Sequence, residues 1–399
     1  MPKKLVIILL LVMVTLSLPA EKTSFVHGAD ISWSTEMEDD GRKFYNSAGT
    51  ETDIFALMKE IGMTAIRLRV WVNPSLYGYG AWCNKADVLA KARRAHAQGL
   101  DLMIDFHYSD FFADPGRQDI PLDWKDLTME QLKSEVANHT RDVLQTLKDE
   151  GIEPHWVQVG NETNNGMMWT KGQIDRTKSG SARYTNYVAL SNVGYDAVKE
   201  VFPEAYVIVH LGNTKDASWF YKEFKQAGGK FDMIGLSHYP TKDEWNSTDA
   251  EALYSNIAAA QRVKQLITSF SIPVMICETG FDVFQPTLAK QVMQDLFNRM
   301  TAIPKCAGIF YWEPETDGYW KPAYYTKLGW NAYSLGAFSN VGKPTIALEP
   351  FGPGGEGIDL LLAPAVSGKS FNIFGQEVGE DYEGIVIRNG QKKLQLLHP

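Results

Sequence analysis

Cysteine is scarce in this chain. Its 399 residues hold 3, Cys83, Cys277 and Cys306. An odd set without metal-like spacing argues against a disulfide framework, and the three read as mostly buried thiols. Positive charge is in deficit too: the net charge is −9. That argues against a nucleic-acid footprint and gives no reason to expect an anionic membrane as partner. No strand offers a His-x-His pair, and the acidic stretches "EDDG" and "DGYW" lack the loop pattern of a calcium hand. No metal and no cofactor is expected.

Long apolar runs are missing as well. A membrane-spanning helix needs about 20 apolar residues. The N-terminal run goes only from Leu5 to about Leu18, behind two lysines and ahead of small or turn-prone residues. That is the layout of a secretory signal peptide, assigned to residues 1–20. The mature chain is expected to be secreted (periplasmic, cell-surface or extracellular), with no membrane span.

Aromatic residues are plentiful, at 12% of the chain with 11 Trp. A hydrophobic fraction of 44% and a charged fraction of 22% are those of a globular protein. Apolar runs of strand length recur: "FVHGADI", "TAIRLRVW", "LDLMIDFHY", "HWVQVGNE", "AYVIVHLG", "DMIGLSHY", "IPVMICE" and "CAGIFYWE". Amphipathic stretches such as "ADVLAKARRAHAQG" and "MEQLKSEVANHTRDVLQTLKDEG" lie between them and end in glycine, a helix stop signal. This alternation predicts an α/β fold, a (β/α)8 TIM barrel, over residues 21–351. The "GPGGEG" linker then opens a small β-rich C-terminal tail, residues 352–399, in which Asn389-Gly390 reads as a hairpin turn.

Catalytic groups of such barrels sit where strands end, at the C-terminal face. The predicted strands end on Asp30, on Arg69 then Trp71, on His107, Glu162 and His210, on His238 then Tyr239, on Glu278, and on Trp312. A lone strand-end carboxylate is more often a cap or a salt-bridge partner. An Asn161-Glu162 pair together with Glu278, on the fourth and seventh strands, fits the two carboxyl groups of a retaining glycosidase. Asn161 can hydrogen-bond a sugar hydroxyl, Arg69 and Tyr239 can keep Glu278 ionised, and His107 or His238 can add hydrogen bonds. Trp33, Trp71, Trp124, Trp169, Trp312 and Trp330 come from five strand ends, so their rings are spread around the mouth and are expected to face a glycan from several sides.

At these residues the chain resembles the arabinogalactan endo-β-1,4-galactanases of glycoside hydrolase family 53. The matching stretches are "GADISW", "IRLRVWVNP", "DFHYSDFFADPGRQ", "VGNET", "GLSHYP", "ETG" and "GIFYWEP", spanning the whole barrel. The resemblance implies Glu162 as acid/base, Glu278 as nucleophile and β-1,4-galactan, the backbone of type I arabinogalactan and pectin side chains, as substrate. It leaves Asp30, Trp33, Arg69, His107, Asn161, His238, Tyr239 and Trp312 as the expected sugar-binding set on a monomer. Some bacterial relatives carry an acidic calcium-binding loop after the strand-seven Glu. Here that segment is the short "GFDVFQPTLAK", and no metal is expected there. On the residues alone, another retaining endoglycanase (of mannan, xylan or β-glucan) and a non-catalytic glycan-binding barrel remain alternatives.

Overall fold

A computed structural model describes residues 25–240 and 249–352, with strands at 370–372, 377–378, 384–388 and 391–395. Eight parallel strands close into a barrel: β1 (Val26–Asp30), β2 (Ala65–Val70), β3 (Asp101–Phe106), β4 (Trp156–Val159), β5 (Tyr206–Leu211), β6 (Met233–Ser237), β7 (Val274–Thr279) and β8 (Cys306–Trp312). Each strand pairs with its sequence neighbours, and β8 returns to β1, where Asp30 sits opposite Trp312. All eight predicted runs are barrel strands.

The strands are buried on both faces, as a helix-wrapped parallel barrel requires. Val26, Ala65, Met103, Trp156, Ile208, Met233, Met275 and Phe310, one from each strand, form a small cluster inside the barrel. The opposite faces join the larger core under the helices. Local signals set the helix ends. Asp53 accepts from the Phe55 and Ala56 amides to start Ile54–Ile61, and Thr128 with Gln131 forms a capping box at Met129–Asp149. The predicted amphipathic segments appear as Lys85–Ala97, Met129–Asp149 and Thr185–Val201.

One irregularity matters for the site. Along β7, Met275 and Cys277 both belong to the inner cluster, so strict alternation would turn Glu278 outward. Between the pairs Leu236↔Ile276 and Ser237↔Glu278 the register slips, with two β7 residues against one of β6. This bulge re-aims Glu278 toward the barrel axis.

In the tail, Gly384–Arg388 pairs antiparallel with Gln391–Gln395, Arg388 opposite Gln391. The Asn389-Gly390 turn lies outside the described residues, as does the predicted signal peptide. No described helix is long and apolar enough to cross a membrane.

Candidate active site

The C-terminal mouth of the barrel opens into a cavity of about 590 Å³. Its floor and sides include His107, Asn161, Glu162, Gly212, Tyr239, Glu278 and Trp312, and one wall is the continuous run Trp330–Leu335. A carboxylate oxygen of Glu162 and one of Glu278 lie within 4.8 Å of each other.

Glu162 is carried by a tight turn at the end of β4. Gly160 has φ 89°, and Glu162 itself has φ 47°, a left-handed conformation uncommon for a non-glycine residue. The turn is pinned from several directions. Gln118 of the "DPGRQ" stretch donates to the Asn161 carbonyl at 2.8 Å, the Thr163 amide to the His210 carbonyl at 2.9 Å, and the Gly212 amide to Asn164 at 2.7 Å. A Cβ at Gly212 would meet Pro115 Cγ at 2.7 Å and Glu162 Cδ at 2.9 Å, so the proline or the carboxyl would have to shift. The Ser237 hydroxyl lies 2.6 Å from Glu162 Oε1.

Glu278 is held by Arg67 and Tyr239. Arg67 is wholly buried and reaches Glu278 Oε1 at 2.9 Å, Asp30 at 2.7 Å, Asp105 at 2.9 Å, Gln158 at 2.7 Å and Asn161 Oδ1 at 2.8 Å. Burial alone would lower the guanidinium pKa, but Asp105, Glu278 and Asp30 outweigh it and push it up. The Tyr239 hydroxyl donates to Glu278 Oε2 at 3.1 Å. Burial raises the Glu278 carboxyl to about 7, opposed by the Arg67 charge and the Tyr239 hydrogen bond. His107 accepts the Ala113 amide on Nδ1 at 3.0 Å, so its proton sits on Nε2 and points at Asp105.

Glu162, Glu278, His107, Asn161, Tyr239 and Trp312 thus converge on the cavity. The other four predicted binding residues do not line it. Asp30 is buried below it, held by Arg67 and Ser32. Trp33 is buried among rings, its Nε1 donating to the Tyr324 hydroxyl at 3.0 Å. Arg69 pairs with Glu313, and its guanidinium lies 4.7–5.2 Å from the ring centres of Phe112, Trp33 and Trp71. It is Arg67, one inward layer deeper, that contacts Glu278. His238 points away from the mouth to Asn256, and burial pushes its pKa down to about 4. Trp71 and Trp124 are likewise buried packing residues, whereas Trp330 joins Trp312 on the cavity wall. Arg67, Ser237 and the Asn331–Leu335 part of the wall were missed by sequence reasoning; of that wall only Trp330 was expected. The signal for Arg67 and Ser237 was the strand period of two, counted back from Arg69 and Tyr239.

Glu162, His210 and Glu278 bring possible metal-ligand atoms together. However, the His210 ring nitrogens already face Asn161 Oδ1 at 2.9 Å and the Ser237 hydroxyl at 3.0 Å. A metal would have to displace one of these contacts.

An eightfold parallel barrel with two facing carboxylates under an aromatic-walled cleft defines a barrel glycoside hydrolase. The chain belongs to glycosyl hydrolase family 53, whose profile matches residues 26–351. It is 30% identical to the arabinogalactan endo-β-1,4-galactanase of Cellvibrio japonicus (strain Ueda107), over 74% of this chain and 81% of that one. It is 29% identical to the endo-β-1,4-galactanase of Bacillus subtilis (strain 168), over 73% and 70%. A solved fungal β-1,4-galactanase superposes with a TM-score of 0.69 at 26% identity, covering 81% of this chain and 98% of that one.

Proposed function

We propose that the protein is a secreted, monomeric endo-β-1,4-galactanase that cleaves with retention of configuration. The observation that carries the mechanism is the pair of carboxylate oxygens within 4.8 Å at the floor of an open cavity. Retaining glycosidases hold their carboxyl groups about 5–5.5 Å apart, inverting ones about 6.5–9.5 Å to admit a water. The close spacing supports direct attack by one glutamate.

Glu278 is the nucleophile. Arg67 and Tyr239 hold its oxygens and favour the anion. It bonds to the anomeric carbon as the glycosidic C–O bond breaks, while Glu162 gives its proton to the departing oxygen. In the second half, Glu162 takes a proton from water, the water oxygen attacks the same carbon, and the ester to Glu278 opens. Asn161 uses one Nδ2 proton on Ala113, and its second serves a sugar hydroxyl. The choice of galactan rests on family 53 and its relatives. Trp312 and Trp330, on separate parts of the wall, suit sugar faces of a bent chain. Secretion rests on the N-terminal pattern.

Reducing-sugar release on a panel of β-1,4-galactan, cellulose, xylan and mannan tests substrate. Fast release is expected from galactan alone, and a comparable rate on any flat-ribbon polymer would refute the specificity. Glu278→Gln is expected to lose at least ~10⁴ in kcat, and near-normal turnover would end the nucleophile assignment.

A further inference from the structure

Ser237, the last residue of β6, stands between two acceptors. Its Oγ lies 2.6 Å from Glu162 Oε1 and 3.0 Å from His210 Nε2. A serine hydroxyl has one proton to donate, so it can serve only one of them at a time.

The far end of this chain of hydrogen bonds sets its direction. Asn161 donates through Nδ2 to the Ala113 carbonyl at 2.8 Å, and its Oδ1 accepts from Arg67 Nη2 at 2.8 Å. The Oδ1 that faces His210 Nδ1 at 2.9 Å is therefore an acceptor, and Nδ1 carries a proton. The Glu162 amide also approaches Nδ1, but at 3.4 Å, the weaker of the two contacts. Burial, and then the Arg67 charge, keep His210 neutral by holding its pKa well below the ordinary value. Nε2 thus keeps its lone pair and accepts. With Glu162 ionised, Ser237 donates to Oε1. With Glu162 protonated, Ser237 can give its proton to His210 while its oxygen accepts from Glu162. The second arrangement satisfies Ser237 and His210 together.

We propose that Ser237 and His210 are positioning residues that keep the proton on Glu162 until the glycosidic oxygen takes it. The proposal rests on the reading of Glu162 as the acid. When the proton leaves, the Ser237 O–H swings to the new carboxylate and His210 Nε2 loses its donor. The swing reverses when Glu162 takes a proton from water. No proton is gained or lost by the pair, and no further reactant is needed. Among the described residues, the ionisable groups around this relay are Arg67, Asp105 and His107 beside His210, and Glu278 and Tyr239 beside Glu162.

The test is the alkaline limb of kcat/KM on soluble β-1,4-galactan, with the full chain. His210→Asn keeps a donor at the δ position for Asn161 and removes the ε acceptor. Ser237 can then serve the carboxylate without leaving Nε2 bare, so the limb should move down by about one pH unit. His210→Gln keeps an acceptor at the ε position and should leave the limb in place. In a Ser237→Ala background, His210→Asn should move it no further. A shift that is absent, or equal with and without Ser237, overturns the relay. Should the His210 variants fail to fold, Ser237→Thr against Ser237→Ala decides: Thr should hold the limb and Ala displace it, and equal behaviour refutes the proposal. Glu162→Ala, run alongside, should abolish the alkaline limb. If the limb survives there, it is the acid assignment of Glu162 that has failed.

Discussion

The Tyr239 hydroxyl donates to Glu278 Oε2 at 3.1 Å, a bond that favours the ionised carboxylate, while burial of Glu278 favours the protonated form. Removing the donor should raise the Glu278 pKa. Tyr239→Phe is therefore expected to move the acid limb of kcat/KM up by roughly 0.5–1 pH unit, read from the pH–rate profile. A downward or absent shift would disconnect Tyr239 from the titration of Glu278. Residues of this kind were partly legible in the sequence. Glu162, Glu278, Asn161 and Tyr239 end apolar strands, and strand ends face the mouth. What the sequence could not rank was depth. Arg67 and Arg69 share one face of β2, yet Arg67 meets Glu278 and Arg69 meets Glu313. Parity also settles His238: it sits between the inward Ser237 and Tyr239, so it faces outward to Asn256.

The short helix Ser34–Asp39, which follows β1, buries Glu36. Burial, with a smaller push from Asp40 and against the pull of Arg69, raises its carboxyl to about 8. A carboxyl raised in the folded state binds its proton more tightly folded than unfolded. Its contribution to stability is fully present below its ordinary value of 4.5 and is lost as pH rises through about 8. The loss is at most about 4–5 kcal/mol. Glu36→Gln should flatten the dependence and stabilise the protein at pH 8.5 relative to the parent, as measured by urea unfolding at pH 5 and 8.5. An unchanged slope would contradict the burial argument. The elements themselves were well announced by their periodicity and by Gly and Pro stops. The β7 bulge was not, because a register slip depends on the partner strand and leaves no trace in the local pattern.

Across the whole molecule, the cavity-lining residues run from His107 to Leu335, all upstream of the linker and tail. Removing the chain after Gly352 should therefore leave galactan turnover within about twofold, measured on a truncate whose fold is checked by circular dichroism. Loss of turnover in a folded truncate would show that the tail shapes the site. The barrel could be read from eight alternations. The mouth could be read only in part, since its wall comes from an irregular segment with no period. That wall, six consecutive residues from Trp330 to Leu335, lies beyond the last strand. Arg67, Glu162, His210, Ser237 and Glu278 lie on or just after β2, β4, β5, β6 and β7. One wall of the cavity and the paired carboxylates thus come from different stretches of the sequence. A loop graft in that wall should reshape what the cavity admits while Arg67, Glu162 and Glu278 keep their contacts.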